Sequence, residues 1–241
     1  MKNCLSNVTG ELSAIRSASC SVVIAAAVSL LGCHVKSAEA TAIQPAAAST
    51  KTATRTANLA SSDGPFGLAA GTSIAELERL GFKSVQGNPG IYEGVPPKPI
   101  EGVSEYALIA TPKAGLCRVQ SRAIVSNVKG TGAQLRAEVD RLAGLMGIRY
   151  GKHSLKGDIN DRDATKRNPQ LWMLGLMDES VLYGYTWNSH RTIRPLPNRI
   201  DFIEVTAGAF AVDRGYVSMM YTFNNYDACR KENQARAASN L

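Results

Sequence analysis

Apolar and polar side chains alternate from Leu116 to Val125, with Cys117, Val119, Ser121, Ala123 and Val125 on one side and Arg118, Gln120 and Arg122 on the other. A period of two marks a strand with one face turned to a core. The spacing predicts Cys117 on the core side and the arginine stripe as solvated surface, with an anion-binding face as the alternative. Tyr106 to Thr111 predicts a neighbouring strand, joined through Pro112-Lys113-Ala114-Gly115, a hairpin-length connection. From Gly132 to Met146 the period lengthens to that of a helix. Leu135, Val139, Leu142 and Met146 share a face there, Glu138, Asp140 and Arg141 lie outward, and Gly147 is the expected stop. A shorter helix is expected after Thr72, because Ser73 and Glu76 have capping-box spacing, Ile74, Leu77 and Leu80 share a face, and Gly81 ends it.

Prolines and glycines between Asn88 and Pro99 predict turns around a short segment at Ile91 and Tyr92. Lys152 to Asn168 is polar and reads as a long loop, and Leu171 to Met177 is an apolar element whose pattern does not fix its type. Val181 to Trp187, Ile200 to Thr206 and Tyr216 to Phe223 predict strands, with a loop over Asn188 to Asn198. Asn225 to Ala238 predicts a terminal helix that holds Cys229 in its first turns. Interleaved helices and hairpin-linked strands point to one α+β domain over residues 63–241, a mainly antiparallel sheet packed by a few helices.

Upstream, the pattern changes. Residues 34–62 are rich in Ala, Ser and Thr and carry no aromatic side chain, so they cannot bury enough apolar surface to offset ordering, and are expected to form a flexible tether. Before them, Ser21 to Leu31 is an eleven-residue apolar run. As a helix it would span only about 16 Å, too short for a bilayer core of about 30 Å. Preceded by Lys2 and Arg16, the run fits a secretory signal.

Leu30-Leu31-Gly32-Cys33 closes that run and resembles the lipobox of bacterial lipoproteins. The resemblance implies a signal peptide over residues 1–32, acylation of Cys33 and a lipid-anchored tether over residues 33–62. Membrane attachment would then run through the lipid on Cys33. His34 follows where an aspartate would favour the inner membrane, so the periplasmic face of the outer membrane is the expected location. Ala38-Glu39-Ala40 offers the alternative of ordinary cleavage and a soluble periplasmic protein. A second likeness covers Gly71 to Gly81, which is similar to the opening helix of small envelope lipoproteins of the outer-membrane assembly type and of β-lactamase-inhibitor-like domains. It implies no functional residue.

Once Cys4 and Cys20 leave with the signal and Cys33 takes lipid, Cys117 and Cys229 remain. An even remainder in an oxidising compartment suggests one disulfide, the alternative being two separate buried thiols. The formal charge of +7 is spread without a dense Lys/Arg run, and export removes the chain from nucleic acid, so that partner class is excluded.

Signatures of catalysis are missing: there is no H-E-x-x-H, C-x-x-C, G-x-S-x-G or P-loop. His153 and His190 lack a second ligand at metal spacing, and Asp158-Ile159-Asn160-Asp161 lacks the glycine and later acidic positions of a calcium loop. No catalytic residue, metal or cofactor is therefore assigned. Asp178-Glu179 is the best carboxylate pair, yet neighbours on an extended chain point to opposite faces.

Binding has a better candidate. Val181, Tyr183, Tyr185 and Trp187 share one face of a strand, so three rings could stack on sugars or clamp a peptide, with His190, Arg191 and Arg194 as donors. The reading that the pattern favours over such a platform is an aromatic core strand. The functional expectation is a non-catalytic envelope lipoprotein that contacts an envelope protein or peptidoglycan. A periplasmic inhibitor or immunity-type protein and a cell-wall hydrolase are the alternatives.

Overall fold

The computed structural model describes residues 63–160, 166–192 and 195–239. The expectations for the signal, Cys33 and the tether, and for Arg194, lie outside these residues. In chain order the elements are α1 (Ile74–Arg79), β1 (Lys83–Ser84), β2 (Ile91–Glu93), β3 (Glu105–Thr111), β4 (Gly115–Ser126), α2 (Ala133–Tyr150) and β5 (Leu155–Asn160), followed by α3 (Trp172–Met177), β6 (Val181–Asn188), β7 (Ile200–Ala211), β8 (Arg214–Phe223) and α4 (Tyr226–Ala238). The strands form one eight-stranded sheet in the order β1-β2-β3-β4-β8-β7-β6-β5, and every neighbouring pair is antiparallel. This is the expected α+β arrangement. Two four-stranded meanders meet at β4 and β8, and α2 carries the chain from the centre of the sheet to its far edge.

The register aligns one continuous apolar row. Tyr92 pairs with Leu108, Leu108 with Val119, Val119 with Tyr221, Tyr221 with Ile203 and Ile203 with Trp187. All six are buried. Helix α2 lays Leu135, Val139, Leu142 and Met146 against this face, and the Tyr221 hydroxyl donates to Met146 Sδ at 3.0 Å. Phe66 adds edge contacts to Tyr106 and Tyr221, with centroids 5.2 and 5.4 Å away. The start of α2 is fixed by close approach. Gly132 has φ +64°, and a Cβ there would stand 1.9 Å from the Trp172 ring, so only glycine fits.

On the opposite face, Arg118 pairs with Thr222, Gln120 with Met220 and Arg122 with Ser218. The solvated stripe expected there is corrected at Arg118, which is only 5% exposed. Helix α4 packs on β3 and β4, and the Arg118 guanidinium lies 3.9 Å from the Tyr226 ring centroid, a stacked cation–π arrangement. Arg122 is also partly buried, and it reaches Glu105 at 3.7 Å.

Four further expectations change. The β3–β4 ladder shifts register between Ile109 and Ala110, so Cys117 sits in a bulge rather than in strict alternation with Val119. Helix α2 passes through Gly147 and stops at Gly151, whose φ is +81° and whose N–H reaches the Gly147 carbonyl. The polar passage after α2 contains an edge strand, β5, which pairs with β6 from Leu155↔Thr186 to Asn160↔Val181. A backbone ladder holds such a strand without apolar alternation. Strand β7 runs on to Ala211, and the β7–β8 turn is only Val212-Asp213.

Cys117 and Cys229, 112 positions apart in sequence, form a disulfide with Cα atoms 6.5 Å apart, which ties β4 to α4. Closing a loop of that length stabilises the fold by about 5 kcal/mol on the chain-entropy model. Replacing both cysteines with alanine is expected to lower the unfolding free energy by about 2–5 kcal/mol in urea titrations. Reductant should produce the same loss in the wild type and none in the variant.

Candidate functional site

Alternation along β6 does place Tyr183, Tyr185 and Trp187 on one face, but that face is the core face beneath α2. Trp187 is 0% exposed and Tyr183 is 4% exposed, so neither belongs to an open platform. The Trp187 Nε1–H donates to the Gly151 carbonyl at 2.8 Å. Both tyrosine hydroxyls donate to one oxygen, Asp140 Oδ1, each at 2.8 Å. Tyr185 is only partly buried and reaches a cleft. His190 and Arg191 lie in the exposed turn after β6, where His190 Nε2 stands 3.4 Å from Asp201 Oδ1. Neither lines the cleft.

The cleft has a volume of about 300 Å³ and lies between α2, the loop into β5, and β6, with Asp140, Gly144, Gly147, Lys152, His153 and Tyr185 among its lining residues. Asp140, Gly144 and Gly147 follow one another at helical spacing, so one stripe of α2 forms its floor. Packing does not demand glycine at two of these positions. A Cβ at Gly144 or Gly147 would meet nothing within 4 Å. Each glycine costs roughly 1 kcal/mol of helix stability relative to alanine. The structural result is a floor free of side chains.

The walls are aromatic and polar. His153 meets Tyr185 edge-on at 5.0 Å and Trp187 at 6.3 Å. Lys156 Nζ stands 5.4 and 5.2 Å from the Tyr183 and Tyr185 ring centroids, and its hydrogen bond to the Tyr185 hydroxyl raises its pKa above the usual lysine range. Burial, reinforced by the hydrogen bond to Asp140, pushes the Tyr183 phenol up to about 12. Both tyrosine bonds to Asp140 fall on Oδ1, which leaves Oδ2 for another donor.

Asp140 is the one carboxylate among the residues lining the cleft, so the paired-carboxylate geometry of a glycosidase is not assembled there. Asp178 and Glu179 lie in an exposed turn, where Asp178 Oδ1 accepts the Ser180 N–H at 3.1 Å and Glu179 has φ +62°. Among the described residues no group of three or more His, Cys, Asp or Glu could hold a metal ion.

Comparison with protein-family models, curated proteins and solved structures finds no match to this chain.

Sequence reasoning found Tyr185 but missed Asp140, His153 and the two glycines. The helical spacing of Asp140, Gly144 and Gly147 was the available signal, since two glycines inside an apolar-periodic helix are costly without a purpose.

Gly144→Ala is expected to raise stability by about 0.5–1 kcal/mol in thermal or urea melts, because the methyl enters open space. For Tyr183, the folded pKa near 12 stands above the ordinary value of 10.0. Its contribution to stability is therefore intact below about pH 10 and lost as pH rises toward 12. Asp140→Asn should move the phenolate absorbance step of Tyr183 to lower pH; an unchanged step would refute the Asp140 contribution.

Proposed function

We propose that this chain is an envelope lipoprotein whose α+β domain binds a partner without catalysis. In this reading acylated Cys33 holds the chain at the periplasmic face of the outer membrane. Residues 33–62 give the domain reach, and the partner is an envelope protein or the cell wall. One observation carries the proposal furthest, the Cys117–Cys229 bridge between β4 and α4. Disulfides of this structural kind persist in exported proteins and are rare where thiols are kept reduced. The bridge therefore supports export, and export is what the Leu30-Leu31-Gly32-Cys33 motif also implies.

Attachment in this reading rests on the acyl chains. Among the described residues no helix is long and apolar enough to cross a membrane. Each buried methylene contributes roughly 0.8 kcal/mol, so a single chain holds marginally and two or three hold stably. Binding rather than turnover is favoured by the cleft, where one carboxylate is engaged by two phenols.

Intact-mass measurement of membrane fractions tests the proposal. The wild type is expected to carry acyl mass and stay with the membrane, while Cys33→Ala loses both. Wild-type protein that lacks acyl mass and is as soluble as the variant would overturn it. Thiol counting on the denatured mature protein should find no reactive cysteine before reduction.

A further inference from the structure

We infer that the cleft between α2 and β6 binds one ring of a neutral saccharide, for which an oligosaccharide of N-acetylglucosamine is the probe. This deepens the envelope reading, which supplies the location of such a ligand. The volume of about 300 Å³ suits a single substituted ring and lies at the lower end of small-molecule sites.

The floor selects the kind of surface that can lie on it. Gly144 and Gly147 are interior residues of α2, so their peptide groups belong to the helix ladder, and open space stands where their side chains would be. Such a floor offers close approach and C–H contact but no free main-chain partner. A peptide needs main-chain partners or deep side-chain pockets. A sugar brings an apolar C–H face together with its own ring of hydroxyls.

The walls complete the match. Tyr185 and His153 meet edge-on at 5.0 Å and form an aromatic corner against which a pyranose C–H face can pack. Asp140 Oδ2 accepts a hydroxyl, and its orientation is fixed because Oδ1 is held by both Tyr183 and Tyr185. Lys152 and His153, which also line the cleft, supply donors. Charge argues for a neutral ligand. An anion would face Asp140 and a cation would face Lys152.

Titration of the mature chain carrying Cys33→Ala with a trisaccharide of N-acetylglucosamine tests the assignment, read by calorimetry and by amide shifts over residues 140–153. Saturable binding with shifts confined to the cleft is expected. Gly147→Leu should weaken binding at least tenfold while the melting temperature holds or rises, and Tyr185→Ala should weaken it similarly. Wild-type affinity in Gly147→Leu overturns the assignment. So does the absence of trisaccharide binding, or preference for an isolated wall stem peptide. Retention of the chain on insoluble peptidoglycan without any response to the trisaccharide removes the cleft as the saccharide site yet leaves the envelope reading intact. That reading stands or falls on the acyl mass at Cys33.

Discussion

Helix α2 lying across β6, β7 and β8 is the contact on which the rest of the domain depends. The apolar row from Tyr92 to Trp187 crosses six strands, and a sheet that wide needs a cover on its core face. Leu135, Val139, Leu142 and Met146 supply much of it. Each such side chain contributes roughly 1.5–3 kcal/mol when fully buried. The same helix is also the connection between the two meanders. Because β4 and β5 stand far apart in the strand order, the chain must cross the sheet, and a helix crosses it with its backbone groups satisfied.

The two faces of the sheet are held by different physics. Beneath α2 the layer is apolar and aromatic, whereas the side that carries α4 holds Arg118, Gln120 and Thr222 close to the disulfide. Burial there pushes the Glu204 carboxyl above its ordinary range, and the charge of Arg118 opposes the shift. Stacking on Tyr226 lets the Arg118 guanidinium stay charged with little solvent around it. The covalent tie of α4 through Cys229 stabilises this side where apolar burial contributes less.

Local signals told the strands and helices apart well wherever the period was unbroken. The β3–β4 hairpin, the cap of α1 by Ser73, whose hydroxyl accepts the Glu76 N–H at 3.3 Å, and the terminal helix were all legible for this reason. Periodicity says which residues share a face, but not what covers that face. Arg118 was placed on the correct side of β4 and misjudged in exposure, because Tyr226 lies 108 positions downstream and only folding brings it there. Tyr183 and Trp187 share the face of Tyr185 as the alternation implies, and the core-strand reading of that face holds for both, while the identity of its cover, α2, was invisible. Strand β5 was missed since its stability resides in main-chain bonds to β6 rather than in side-chain pattern.

Along β6 the three aromatic residues share one face yet differ in burial, and the cause lies in α2. Trp187 is capped by the Gly151 carbonyl, and Tyr183 lies edge-on to Trp172 at 6.1 Å. Tyr185 lines the cleft with Gly144 and Gly147, which bring no side chain to it. Alanine at those two positions would favour the helix and fits the space. Stability alone therefore does not account for the sequence of α2. A helix that forgoes available stability at two positions, both lining one cleft, is better explained by what the cleft must admit than by how the helix must pack.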